Sequence, residues 1–215
     1  MHQNNTCLIS SWSFDGFGHQ LINIVRCQEY ALQYNYTFVG TQRTHMEHKD
    51  PDKSKLLELL TTISGKERYQ VPHRRYHDRT CGIGCDPISL CDECHSTPNA
   101  NIRRRIARTL CASIPMNRTV SCPVRYACFH VRQRQSWEKD RWLVGRRPDL
   151  NRMHLANHTR KAVITHGRFD DLSVFKADFC IFSTMSFVQN CCESFEALSA
   201  SSFGDTLKMV HQYCG

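Results

Sequence analysis

Residues 7–39 constrain the fold more than any other part of this chain. Cys7, Leu8, Ile9, Ser10, Ser11 and Trp12 form a short apolar run suited to a buried strand. Ser13, Phe14, Asp15, Gly16, Phe17 and Gly18 follow as a loop with two glycines. From His19 to about Gln33 the apolar period is helical, with Leu21, Ile24, Val25, Gln28, Ala31 and Leu32 on one face. Tyr36, Thr37, Phe38 and Val39 then read as a second strand. Strand, loop, helix and strand in this order open a parallel α/β sheet.

The alternation continues. Lys55 to Ile63 reads as a short helix after a polar loop at 42–53. Residues 65–101 are rich in Arg, His, Cys and Pro, lack periodicity, and read as an irregular insertion. Ile102 to Cys111 is a basic helix with Ile102, Ile106 and Leu110 on one stripe. The loop holding Pro115 and Pro123 is the expected boundary between a domain at 1–122 and one at 123–215. In the second half, Arg125 to Val131, Ala162 to Thr165 and Asp178 to Ser183 read as strands. Asp170 to Phe175, Val188 to Ala200 and Thr206 to Tyr213 read as helices, and 132–160 as polar and irregular. The expected fold is α/β in two layered halves, with the Cys-rich insertion in the first.

With 215 residues the chain can bury a substantial core. No run of 18 apolar residues exists, so no transmembrane helix is expected. The first residues have neither a basic start nor an apolar stretch, so no signal peptide is expected there. Thirteen cysteines nevertheless suit an oxidising compartment. Sequons at Asn4, Asn35, Asn117 and Asn157 point to the same secretory lumen. A net charge of +8 favours an anionic partner: nucleic acid, a lipid surface or a phosphorylated substrate.

Three segments could carry chemistry. Gly16, Phe17 and Gly18 stand between a strand and a helix N-terminus, where backbone N–H groups and the helix dipole favour a phosphate. Leu21 occupies the place of a third glycine, so the full dinucleotide fingerprint is not met. The strand ending in His130, Val131 and Arg132 would put a guanidinium at the ligand crevice, able to grip a diphosphate bidentately. Ser183, Thr184, Ser186 and Phe187 end an apolar run before a helix, where the hydroxyls can cap that helix or donate to phosphate oxygens.

In this order the three segments resemble the fucosyltransferases, namely the alpha-1,2-fucosyltransferases and their distant relatives, the protein O-fucosyltransferases and core fucosyltransferases. Gly16-Phe17-Gly18-His19-Gln20 resembles the Gly-x-Gly-Asn-Gln loop that opens those enzymes, with His19 in place of Asn. His130-Val131-Arg132 resembles their His-x-Arg motif, with Gln135 where an Asp often follows. Residues 177–187 resemble the block that leads into their Ser-x-x-Ser-Phe turn.

The resemblance implies two facing Rossmann-type domains of GT-B kind and inverting transfer of fucose from GDP-fucose to a glycan or protein hydroxyl. It implies no cofactor and no metal in the chemistry, and a lumenal location in the Golgi or endoplasmic reticulum. GDP-fucose would meet Gly16, Phe17, Gly18, Gln20, His130, Arg132, Ser183, Ser186 and Phe187. Arg132 would stabilise the leaving diphosphate, and Asp15 or His19 would be the base. The expected partners are a nucleotide sugar and a glycan or glycoprotein acceptor, with no nucleic acid.

Other readings stay open. Cys81, Cys85, Cys91, Cys94 and His95 lie within 15 residues and could hold one zinc, pair as disulfides or stay reduced. Cys91-Asp92-Glu93-Cys94-His95 also matches a haem attachment pattern. A noncatalytic Cys-rich α/β protein binding zinc or nucleic acid is thus an alternative, as is an inactive fucosyltransferase relative.

Overall fold

A computed structural model describes residues 8–13, 16–44, 46, 50–65, 89–91, 96–131, 160–165, 180–198 and 201–215. The chain forms two compact α/β units. Met1–Lys49 and Lys53–Ile106 make the first; Asp50–Asp52 and Ala107–Gly215 make the second.

In the first unit, strand β1 (Leu8–Ser13) is central in a three-stranded parallel sheet of order β2-β1-β3. Its neighbours are β2 (Thr37–Thr44) and β3 (Ser89–Cys91). Helices α1 (Phe17–Gln33) and α2 (Lys53–Ser64) complete the described elements before α3 (Ala100–Ala112). Leu21, Ile24, Val25 and Ala31 are buried as the helical period requires, together with Ile22 and Cys27. Leu32 departs from that face and is 61% exposed, because burial ends with Ala31 as the helix runs out. Leu56, Leu59, Leu60 and Ile63 bury the matching stripe of α2.

A polar cluster ties α1 to the start of α3. The Glu29 carboxylate is buried and accepts from Arg103 Nε at 2.7 Å, Arg103 Nη2 at 3.2 Å, the Asn99 N–H at 2.8 Å and Ser96 Oγ at 3.2 Å. Asn99 Oδ1 in turn accepts from the N–H groups of Asn101 and Ile102, both at 3.1 Å, and so caps α3.

The second unit repeats the strand arrangement. Strand β4 (Tyr126–Val131) is central in a parallel sheet of order β5-β4-β6. The flanking strands are β5 (Lys161–Thr165) and β6 (Cys192–Ala197). Ala127 to Val131 are all buried, as expected for a strand covered on both faces. Helices α4 (Ile181–Cys191) and α5 (Ser202–Cys214) pack on one another. Disulfides Cys111–Cys214, Cys122–Cys191 and Cys128–Cys192 staple this unit, in keeping with an oxidising compartment.

Two expected elements are corrected. Within the strand expected at Asp178 to Ser183, Ile181 to Ser183 instead begin α4, and the helix expected at Val188 to Ala200 gives way to β6 from Cys192; 178–179 and 199–200 lie outside the described residues. An apolar run of that length fits a strand or a buried helix equally, and periodicity alone does not separate them. Glu193, Glu196 and Ala197 favour helix locally, but pairing with β4 and the Cys128–Cys192 link override that preference.

The division between units falls inside α3, between Ile106 and Ala107, and not in the loop with Pro115 and Pro123. That loop is bound into the second unit: Cys122 is bonded to Cys191, and the Val120 N–H donates to Ser186 Oγ at 2.8 Å. The α/β class and strands β1, β2, β4 and β5 are as the sequence alternation implies, whereas β3, inside the irregular insertion, and β6 were not expected as strands. The irregular stretch at 132–159 and the helix at 170–175 lie outside the described residues.

Candidate functional site

In each sheet the first strand in sequence is central, and its two partners lie on opposite sides. The chain therefore crosses over that strand, which makes a topological switch point. In open parallel sheets ligands bind outside the carboxyl ends of the strands at such a point. In the first unit that point lies beyond β1 and β3, in the second beyond β4 and β6.

At the first switch point the chain passes from Ser13 into α1. Gly16 is the N-cap, with φ −63° and ψ 162°. The first amides of a helix have no partner inside it, so a helix start can donate to an anion. Gly16, Phe17, Gly18 and Gln20 are buried, and His19 is partly exposed. The Asn23 amide donates to His19 Nε2 at 3.4 Å one turn on. Neither glycine has a positive φ: Gly16 is extended, and Gly18 lies in the first helical turn. Their use here is the absence of a side chain, not a left-handed backbone. Asp15 lies outside the described residues.

At the second switch point His130 is buried near the end of β4. Its ring meets Phe203 edge-on at 5.9 Å, and its carbonyl accepts from the Leu198 N–H at 2.9 Å. The first turn of α5 is seated against it: a Cβ on Gly204 would stand 2.9 Å from His130 Nδ1 and 3.3 Å from Ala197 Cβ. Gly204 is thus what lets the helix start approach β4 so closely. The helix is capped by Ser201, whose Oγ accepts from the Gly204 N–H at 3.1 Å. Arg132 follows β4 directly and lies outside the described residues.

Ser183, Ser186 and Phe187 sit on α4, not on a turn after a strand. The Ser183 N–H donates to Cys180 Sγ at 3.3 Å, and the Cys180 thiol donates to Ser183 Oγ at 3.0 Å. Ser186 is buried, and its Oγ accepts from the Val120 N–H and, at 3.2 Å, from Asn190 Nδ2. Phe187 is buried beside Tyr126, ring centres 6.1 Å apart. Packing and internal hydrogen bonds account for these three side chains.

The start of α4 holds a carboxylate that the sequence reading passed over. Asp50 Oδ2 accepts from the Ile181 N–H at 3.0 Å, and Asp50 Oδ1 accepts from the Asp52 N–H at 2.8 Å. Asp52 pairs with Arg118 Nε at 2.7 Å, and that hydrogen bond is the main reason the guanidinium pKa is raised. The Asp50-Pro51-Asp52 triplet was the available signal, since Asp beside Pro favours a turn closed by its own side chain.

Cys91 belongs to β3, while Cys81, Cys85, Cys94 and His95 lie outside the described residues. Among the described residues no three His, Cys, Asp or Glu side chains are grouped to hold a metal, and no helix is long and apolar enough to cross a membrane. Comparison of the chain with models of known families, with curated proteins and with solved structures finds no match.

Proposed function

We propose that this chain is a fucosyltransferase-like glycosyltransferase of the secretory lumen that binds GDP-fucose. The observation carrying the reading is that α1 starts at Gly16, directly beyond the central strand of a parallel sheet at its switch point. The matching switch point beyond β4, where the chain leads into Arg132, supports it. The full scaffold in this proposal is two facing Rossmann-type domains of GT-B kind.

In the proposed reaction an acceptor hydroxyl of a glycan or protein attacks the anomeric carbon of fucose. The bond from that carbon to the diphosphate breaks, and GDP leaves with the electron pair. Arg132 offers two parallel donors to the charge that grows on the diphosphate, and the α1 amides offer more. His19, partly exposed at the same helix start, or Asp15 takes the acceptor proton.

Arg132→Ala is the test of this arrangement. GDP affinity measured by calorimetric titration should fall by about 1.5–3 kcal/mol, the usual cost of a lost hydrogen bond to a charged group. Arg132→Lys should restore only part of it, because a point charge lacks the planar fork. Unchanged GDP affinity in a folded Arg132→Ala protein would remove Arg132 from the site.

A further inference from the structure

We propose that Asn35 and Asn117 carry N-linked glycans. Each heads a sequon, Asn35-Tyr36-Thr37 and Asn117-Arg118-Thr119. Both asparagines are exposed in turns, where a bulky polar group can be carried in water. Asn35 joins α1 to β2 with φ 54°, in a turn closed by the Tyr34 N–H to Tyr30 carbonyl bond at 3.0 Å and the Tyr36 N–H to Ala31 carbonyl bond at 2.7 Å. Asn117 lies in a short 3-10 turn, Met116–Arg118, held through Arg118 to Asp52.

The second observation is where apolar surface is left in water. Among the described residues the exposed large hydrophobic side chains are Leu32, Tyr34 and Met116, at 61%, 47% and 94% exposure. Every one stands within three residues of Asn35 or Asn117. A left-handed turn explains an Asn at position 35 but not the exposed Leu32, nor a Tyr34 that stays 47% exposed although its ring packs on Tyr30 at 4.5 Å. Sugar rings present C–H faces as well as hydroxyls, and a glycan rooted at either asparagine can lie over these side chains. The three disulfides fit the kind of oxidising compartment where such transfer occurs.

In the transfer the Asn side-chain nitrogen bonds to the anomeric carbon of a lipid-diphosphate-linked oligosaccharide. The carbon–oxygen bond to the diphosphate breaks, the lipid diphosphate leaves with the electron pair, and one amide proton passes to the transferase's base. The inference does not depend on the nucleotide-sugar reading.

The test is peptide mass spectrometry on the full chain routed through a eukaryotic secretory pathway, after enzymatic glycan release that leaves Asp in place of Asn. Reading the whole pool of chains makes the result independent of folding yield, because the glycan is added as the chain enters the lumen. Positions 35 and 117 should both be converted. Thr37→Val and Thr119→Ala should each lose one glycan, whereas Thr37→Ser should keep it. Unconverted Asn35 and Asn117 in chains that carry the Cys111–Cys214 disulfide would overturn the proposal.

Discussion

Glu29→Ala is expected to destabilise the first unit by about 3 kcal/mol, read as a lower urea midpoint. Removing one partner of a buried ion pair typically costs about 3–5 kcal/mol. Here the carboxylate side chain is fully buried, while Arg103 is 34% exposed and can return to water, which favours the lower end. The Asn99 N–H loses its acceptor as well, and with it the segment that caps α3. Glu29→Gln keeps one acceptor oxygen and should lose about half as much. A Glu29→Ala midpoint unchanged from the parent would show that the cluster does not hold α1 to α3.

The disulfides give the other large effect. Cys191 and Cys192 are adjacent, and their partners Cys122 and Cys128 are close in sequence, so either bond alone holds nearly the same loop shut. With one intact, the other closes a ring of about nine residues, which the chain-entropy relation values at roughly 2.6 kcal/mol. With both removed, a loop with a sequence separation of 64 opens as well, for a total of about 7 kcal/mol. The Cys122→Ala/Cys191→Ala and Cys128→Ala/Cys192→Ala pairs should therefore cost about 2–3 kcal/mol each. The quadruple variant should lose about 2 kcal/mol more than their sum. Strict additivity in denaturant titrations would contradict this coupling.

Where the chemistry is local, the sequence was a sufficient guide. The helical period of Leu21, Ile24 and Val25 and the apolar run of Ala127 to Val131 mark buried faces because burial follows spacing directly. The α4–β6 boundary was not legible, because Cys192–Ala197 owes its strand state to β4, far away in sequence. Gly16 does stand at a strand-to-helix passage, but the helix begins at Phe17 rather than His19, so Gly18 is helical and not part of the loop; glycine alone does not foretell such backbone angles. Ser186 and Phe187 illustrate the opposite case. Their spacing suggested a ligand turn, and only the partners Val120 and Tyr126, brought in by tertiary packing, reveal what they touch. The Glu29 cluster was hidden for the same reason, since its partners stand 67 to 74 residues along the chain.

The central claim is that the switch points of this fold serve a guanosine diphosphate sugar. The most direct measurement is thermal unfolding of the intact, disulfide-bonded chain with GDP, GDP-fucose, UDP and ATP in parallel. At 100 times its dissociation constant, a ligand of the folded state adds about 2.7 kcal/mol, or roughly 5–10 °C for a chain of this length. GDP and GDP-fucose should give that shift, with UDP and ATP well below it. A melting temperature unmoved by millimolar GDP, or moved equally by all four nucleotides, would contradict the account.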